Sequence, residues 1–131
     1  MTRLLLVLCA LGVCCGQTLN VYVIDVEGGN ATLFVSPSRE SLLIDTGNAG
    51  AAAVRDAGRI LDAIKDAGLQ QIDHLIITHW HGDHFGGLAE LSAKIPIREF
   101  IDHGHQPARG AGLTREVIAE TQRYRLATRS L

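Results

Sequence analysis

The sequence predicts a layered α/β fold built on a mixed β-sheet. Three observations carry that expectation. Three short runs rich in β-branched and aromatic residues follow one another across short turns between Leu19 and Asp45, the pattern of an antiparallel meander. A segment of helical spacing, Ala51 to Ala67, then separates the meander from another apolar run at Ile72 to Thr78. From there the order continues as helix, strand, helix. With 131 residues, 47% of them hydrophobic and 20% charged, the chain reads as globular, with one domain as the natural division.

The N-terminus has the makeup of a targeting segment. Met1-Thr2-Arg3 is a short positive start, and Leu4 to Cys15 is an apolar run too short to span a bilayer. Residues 1–16 are therefore expected to be a signal peptide cleaved near Gly16 or Gln17, with residues 17–131 forming the domain. This implies an exported protein, periplasmic or secreted, with no stable membrane span after cleavage. Lipidation at Cys14 or Cys15 is a weaker alternative, because Val13 and Cys14 suit the preceding position poorly. All three cysteines lie in this segment, so the mature chain has no disulfide framework and no thiolate ligand.

The elements follow in order. Leu19 to Val26 is the first strand and Glu27-Gly28-Gly29-Asn30 a turn. Ala31 to Ser36 is the second strand, Pro37-Ser38-Arg39-Glu40 a tight turn, and Ser41 to Asp45 the third strand. Thr46-Gly47-Asn48-Ala49-Gly50 breaks the pattern. In the helix that follows, Val54, Ile60, Leu61 and Ile64 are expected on the buried face, with Arg55, Asp56, Asp62 and Lys65 elsewhere. Gly68 is a plausible stop. Beyond Ile72 to Thr78, a short helix from about Gly87 to Ala93 turns Leu88 and Leu91 inward, Pro96 ends it, and Ile97 to Ile101 is the last strand. Thr114 reads as a partial N-cap for a final helix containing Val117, Ile118 and Leu126.

A net charge of −2 provides no basic field for holding nucleic acid in bulk, although a local metal could still bind one phosphate. The chemistry is concentrated in Thr78-His79-Trp80-His81-Gly82-Asp83-His84, directly after Leu75-Ile76-Ile77. Four potential ligands in six residues at the end of a buried strand suit zinc and its first-row neighbours, manganese and iron included. A merely polar loop does not explain three histidines and an acid at this density. His79 and His81 could share one ion, with Asp83 and His84 holding a second, and two ions can share a reactive hydroxide.

Other residues carry weaker signals. Asp45, at a strand end before Gly47, can orient a ligand through a hydrogen bond. His103 and His105 follow another strand and read slightly better as a polar loop than as ligands. His74 sits at the opposite strand end and reads as structural, and Trp80 as packing. Gly29 and Asn30 could line the floor of a site, but a plain hairpin turn explains them equally well.

On these residues the chain resembles the metallo-β-lactamase-fold hydrolases. The run from Thr78 to Gly87 looks like the family signature, and Leu43-Ile44-Asp45-Thr46-Gly47 resembles its upstream Asp motif. Val23 to Ala31 is similar to the first-hairpin motif of domains related to the competence protein ComEC, altered at Glu27, Gly29 and Asn30. The resemblance covers about Leu19 to Gly104. It implies an αββα sandwich, an edge site and one or two zinc ions, with His79 and His81 on the first, Asp83 and His84 on the second. It implies that Asp83 and Asp45 serve catalysis, Asp45 from behind the site. The family's later ligands, a His, a bridging Asp and a last His, find no counterpart after His105, so the chain corresponds to the N-terminal half. A sheet lacking its twin should expose an apolar face, favouring self-association or a second-half partner.

The leading expectation is an exported metal-dependent hydrolase, using zinc-activated water on an ester, amide or phosphodiester bond of a small-molecule or phosphodiester substrate. The alternative is a truncated or degenerate non-catalytic metal-binding domain. A thioester or persulfide enzyme of the same fold is a third.

Overall fold

A computed structural model describes residues 18–102. The expected targeting segment, the expected last helix, His103 and His105 lie outside the described residues. Strands β1 (Asn20–Val23), β2 (Thr32–Val35) and β3 (Ser41–Ile44) form the meander. A 3-10 turn at Gly50–Ala52 leads into helix α1 (Ala53–Asp66) and then β4 (Ile72–Ile77). Two short helices, α2 (Gly82–Phe85) and α3 (Leu88–Ser92), precede β5 (Ile97–Asp102).

The five strands form one sheet in sequence order. The β1–β2 and β2–β3 pairs are antiparallel, because short turns join them. The β3–β4 and β4–β5 pairs are parallel, because helical crossovers return the chain to the same edge. The sheet is therefore mixed, as its alternation of strands and helices predicts.

Register sorts the side chains into two faces. On one face Tyr22, Leu33, Leu43, Leu75 and Phe100 stand opposite one another across all five strands. Leu33, Leu43 and Leu75 are fully buried, and Ile60 and Ile64 of α1 with Leu88 and Leu91 of α3 complete the same core. Burying each such side chain contributes about 2 kcal/mol. The other face carries Val21, Phe34 and Leu42 in one row and Val23, Ile44, Ile76 and Ile101 in the next. None of these seven is fully buried, and Val23 is 84% exposed.

Helix α1 corrects the expected orientation at two positions. Val54 is exposed, and Asp56, expected among the solvated residues, is completely buried. The buried stripe runs through Ala53, Ala57, Ile60 and Ile64, with Asp56 beside it. Small alanines let the helix approach the sheet, which turns Val54 outward. Asp56 tolerates burial because its carboxylate accepts from the Asn48 backbone N–H, the Asn48 side-chain amide and Arg55 Nε.

Parallel pairing of β3 with β4 prepares the chemistry. Both strands end at the same edge, so Asp45 and Thr78, the residues that follow them, become neighbours.

Candidate functional site

Asp45 leaves β3 in the left-handed region, with φ of 62°. An aspartate adopts that conformation more readily than most residues, and here neighbouring bonds hold it there. Its N–H donates to the Ile76 carbonyl of β4 at 2.8 Å. Its carboxylate is fully buried and surrounded by donors. Oδ1 accepts from the Thr78 backbone N–H at 2.8 Å and from Thr78 Oγ1 at 3.0 Å. Oδ2 accepts from Asn30 Nδ2 at 3.0 Å and pairs with His84 Nδ1 at 2.8 Å. Burial pushes the carboxyl up, but the bonds from Asn30, His84 and Thr78 more than offset it and hold Asp45 below the usual carboxylate range.

A charged carboxylate requires a proton on the Nδ1 that faces it, so Nε2 is the ring nitrogen whose lone pair can be offered to a ligand. Nε2 lies 3.7 Å from Asp83 Oδ2. The two donors expected to act together are thus side by side on α2.

The other pair lies against them. The His79 ring centroid is 3.9 Å from that of His84 and 4.6 Å from that of His81. Thr78 Oγ1 is 3.1 Å from His79 Nδ1. Burial, followed by the neighbouring His84 and His81, holds the His79 pKa below the usual histidine value. That ring is neutral near pH 7, the form that can ligate a metal.

Backbone contacts fix the loop to the sheet edge. The N–H of Thr46 donates to the His84 carbonyl at 2.7 Å, and that of Gly86 to the Gly47 carbonyl at 2.9 Å. A Cβ at Gly86 would collide with the backbone of Asn48 and Ala49, so only glycine permits this approach. Trp80 packs edge-on to Phe85 at 5.6 Å, which seats the loop on the core.

All five site residues expected from the sequence therefore gather at one edge: Asp45, His79, His81, Asp83 and His84. Thr78 and Asn30 join them with roles that their sequence motifs did not declare. Thr78 bonds both oxygens of Asp45 and touches two histidines. His74 stands apart, bonded to Glu99 and Glu40 on the outer face.

The donor chemistry, imidazoles beside a carboxylate, fits a first-row divalent ion. Among the described residues, however, no three His, Cys, Asp or Glu side chains converge into a ready metal-holding group. The residues adjoin in a row, His81 to His79 to His84 to Asp83, rather than closing into a cage.

Comparison with known proteins agrees with this arrangement of motifs. A family model described as the metallo-beta-lactamase superfamily matches residues 24–123. The chain belongs to that superfamily. A relative, the lactamase-like protein aptB of Emericella nidulans, is 34% identical over 97 residues, which cover 67% of this chain and 30% of aptB. An atrochrysone carboxyl ACP thioesterase of Passalora fulva is 39% identical over 82 residues, covering 63% of this chain and 23% of that protein. A solved metallo-beta-lactamase from Cronobacter sakazakii, a motif mutant, is 27% identical with a TM-score of 0.48, covering 61% of this chain and 30% of that one. The superfamily member described here thus spans less than a third of the length of these three proteins.

Proposed function

We propose that this superfamily member contributes the metal-binding edge of an exported hydrolase that cleaves an ester-type bond, with thioesters the first class to try. One observation carries the reading. A buried, charged Asp45 is bonded to His84 Nδ1 while the His79 ring lies 3.9 Å from that of His84, so several imidazoles share one edge with a carboxylate behind them. A structural cluster has no need of imidazoles with a free lone pair. Relatives named as thioesterases support the choice of a thioester. Amide and phosphodiester bonds are the other substrates that the same chemistry reaches.

His79 and His81 would hold one zinc ion, Asp83 and His84 a second, with manganese or iron as substitutes. A bound ion of this kind lowers the pKa of coordinated water and polarises the carbonyl under attack. The chain's own residues do the rest. Asp45 keeps the proton of His84 on Nδ1, Thr78 fixes Asp45 and abuts His79, and Trp80 with Phe85 anchors the loop against drift.

A second reading, a non-catalytic metal-binding domain, is favoured by the open arrangement, in which no three donors converge among the described residues. The test is zinc content by elemental analysis, together with turnover of thioester, ester and phosphodiester probes. His79→Ala/His81→Ala should abolish uptake at the first position with little change in stability. Zinc without turnover selects the second reading; no zinc in the wild-type chain, even after soaking in excess metal salt, sinks both.

A further inference from the structure

We propose that Asn30 is a positioning residue for the Asp83–His84 pair, acting through Asp45. The inference rests on the metal-dependent reading above and adds to it a residue outside the histidine motif.

Asn30 ends the loop between β1 and β2. Its side-chain Nδ2 donates to Asp45 Oδ2 at 3.0 Å, the same oxygen that meets His84 Nδ1 at 2.8 Å. Its backbone N–H donates to the Asp83 carbonyl at 3.2 Å, and its own carbonyl accepts from the Gly47 N–H at 3.0 Å. One residue thus touches the Asp45 carboxylate, the turn after it and the helix that carries both donors. An asparagine serving only a hairpin turn bonds its local backbone; here the amide reaches across 15 positions of sequence.

The amide orientation is determined. Asp45 Oδ2 can only accept, so Nδ2 faces it, and Oδ1 accepts from Thr32 Oγ1 at 3.4 Å. A flipped amide would place Oδ1 against a carboxylate. The loop is also pressed into place. A Cβ at Gly29 would run into the Asp83 carbonyl, so the backbone lies directly on α2. At its far end, Glu27 pairs with Arg55 at 2.5 Å and with Arg59 at 3.0 Å, and Arg59 donates to the Asp25 carbonyl at 2.7 Å. Helix α1 therefore clamps the loop from outside while Asn30 grips the site from within.

The consequence is selective. Thr78 reaches both oxygens of Asp45, but its backbone N–H already holds Oδ1, and its single hydroxyl proton is shared between Oδ1 at 3.0 Å and Oδ2 at 2.8 Å; Asn30 Nδ2 is the donor committed to Oδ2, the oxygen that faces His84 Nδ1. The His79 ring meets Thr78, His81 and His84 rather than Asn30, so loss of Asn30 reaches it only through His84 and Thr78. Removing a group that orients a ligand typically weakens metal binding by about 10-fold or more.

The test uses the full chain with Asn30→Ala and Asn30→Asp, the latter close in shape but an acceptor where Asn30 is a donor. Side-chain nitrogen NMR should show His84 as the Nδ1–H tautomer in the wild type and a tautomer mixture in both variants. Zinc titration should show an affinity loss of about 10-fold. A merely structural Asn30 would shift melting temperature without changing the tautomer. If Asn30→Ala does not fold, Asn30→Asp carries the test, since it also fills the space of the side chain. An unchanged His84 tautomer in the folded variants overturns the proposal. Failure of the wild type to bind zinc overturns the metal reading instead, while the tautomer measurement still decides the role of Asn30.

Discussion

Two buried carboxylates stitch β3 to β4, one at each end of the pair. Asp73, near the start of β4, accepts from the Ser41 N–H and Ser41 Oγ, each at 2.9 Å, from Gln71 Nε2 at 2.7 Å and from Arg98 at 3.3 Å. Asp45, just past the end of β3, accepts from Thr78, Asn30 and His84. Burial pushes both carboxyls up, and in both the hydrogen bonds win and hold the pKa below the usual range. Electrostatically the two are alike. They differ in what the donors can do with their remaining atoms. A backbone amide, a hydroxyl, a side-chain amide and a guanidinium end the chain of interactions at Asp73. An imidazole has a second nitrogen, so at Asp45 the same device leaves His84 Nε2 available, and on the proposed metal reading it orients a ligand.

That contrast is broken most directly at Asp45. Replacing it by alanine strands several buried donors, each costing about 1–3 kcal/mol, so a total loss of about 3 kcal/mol or more is expected. Zinc affinity should collapse in parallel, because His84 loses the partner that fixes its tautomer. Denaturant unfolding and zinc titration on the same protein read the two effects. Asp73→Ala should cost about 2 kcal/mol by the same reasoning and leave zinc affinity untouched. Equal zinc losses in the two variants would show that both ends act only through global stability.

Much of this arrangement is legible in the sequence. The order of elements along the chain, the crossover helix and the histidine loop follow from periodicity and from residue types that packing does not explain. Asp45 stands out because it ends an apolar strand before a glycine. What stays hidden depends on register and contact. Asp56 sits among charged neighbours in sequence and reads as solvated; only the approach of the 46–50 turn supplies the Asn48 donors that let it be buried. Val54 shares a helical face with Leu61, seven positions on, and that spacing alone reads as buried. The packed stripe is instead Ala53–Ala57–Ile60–Ile64, so Leu61 is half-buried at its margin and Val54 lies outside it. Small alanines rather than large residues define the face that meets the sheet. Asn30 reads as a turn residue because its partner is 15 positions away.

Acid pH sharpens the comparison further. Asp45, Asp56 and Asp73 all have pKa values lowered in the fold. Their contribution is present above the unfolded carboxylate value of about 3.9 and is lost as pH falls through the folded values. Stability should therefore fall on acidification, with the unfolded chain binding the extra protons. Asp73→Asn removes one contributor, so its stability should depend less steeply on pH below about 4. An unchanged slope in urea unfolding across that range would mean that Asp73 is not charged in the fold.

The smallest effect is expected at His74, and it tests the rule from the other side. His74 also lies between carboxylates, with Nδ1 2.5 Å from Glu99 and Nε2 3.0 Å from Glu40. Both ring nitrogens are engaged, so none is left for a metal, whereas His84 bonds Asp45 through one and keeps the other 3.7 Å from Asp83. The bonds from Glu40 and Glu99 raise the His74 pKa despite some burial. A raised histidine stabilises fully below its unfolded value of about 6.5, and the contribution is lost as pH rises through the folded value. The site is on the partly open outer face, where solvent screens the pair, so the change should be slight. His74→Gln should flatten the dependence of the unfolding midpoint on pH above about 6.5 and leave zinc affinity unchanged. A loss of zinc in that variant would mean that occupancy of both ring nitrogens does not separate a structural histidine from a ligand, and the distinction drawn between the two ends of the sheet would fail with it.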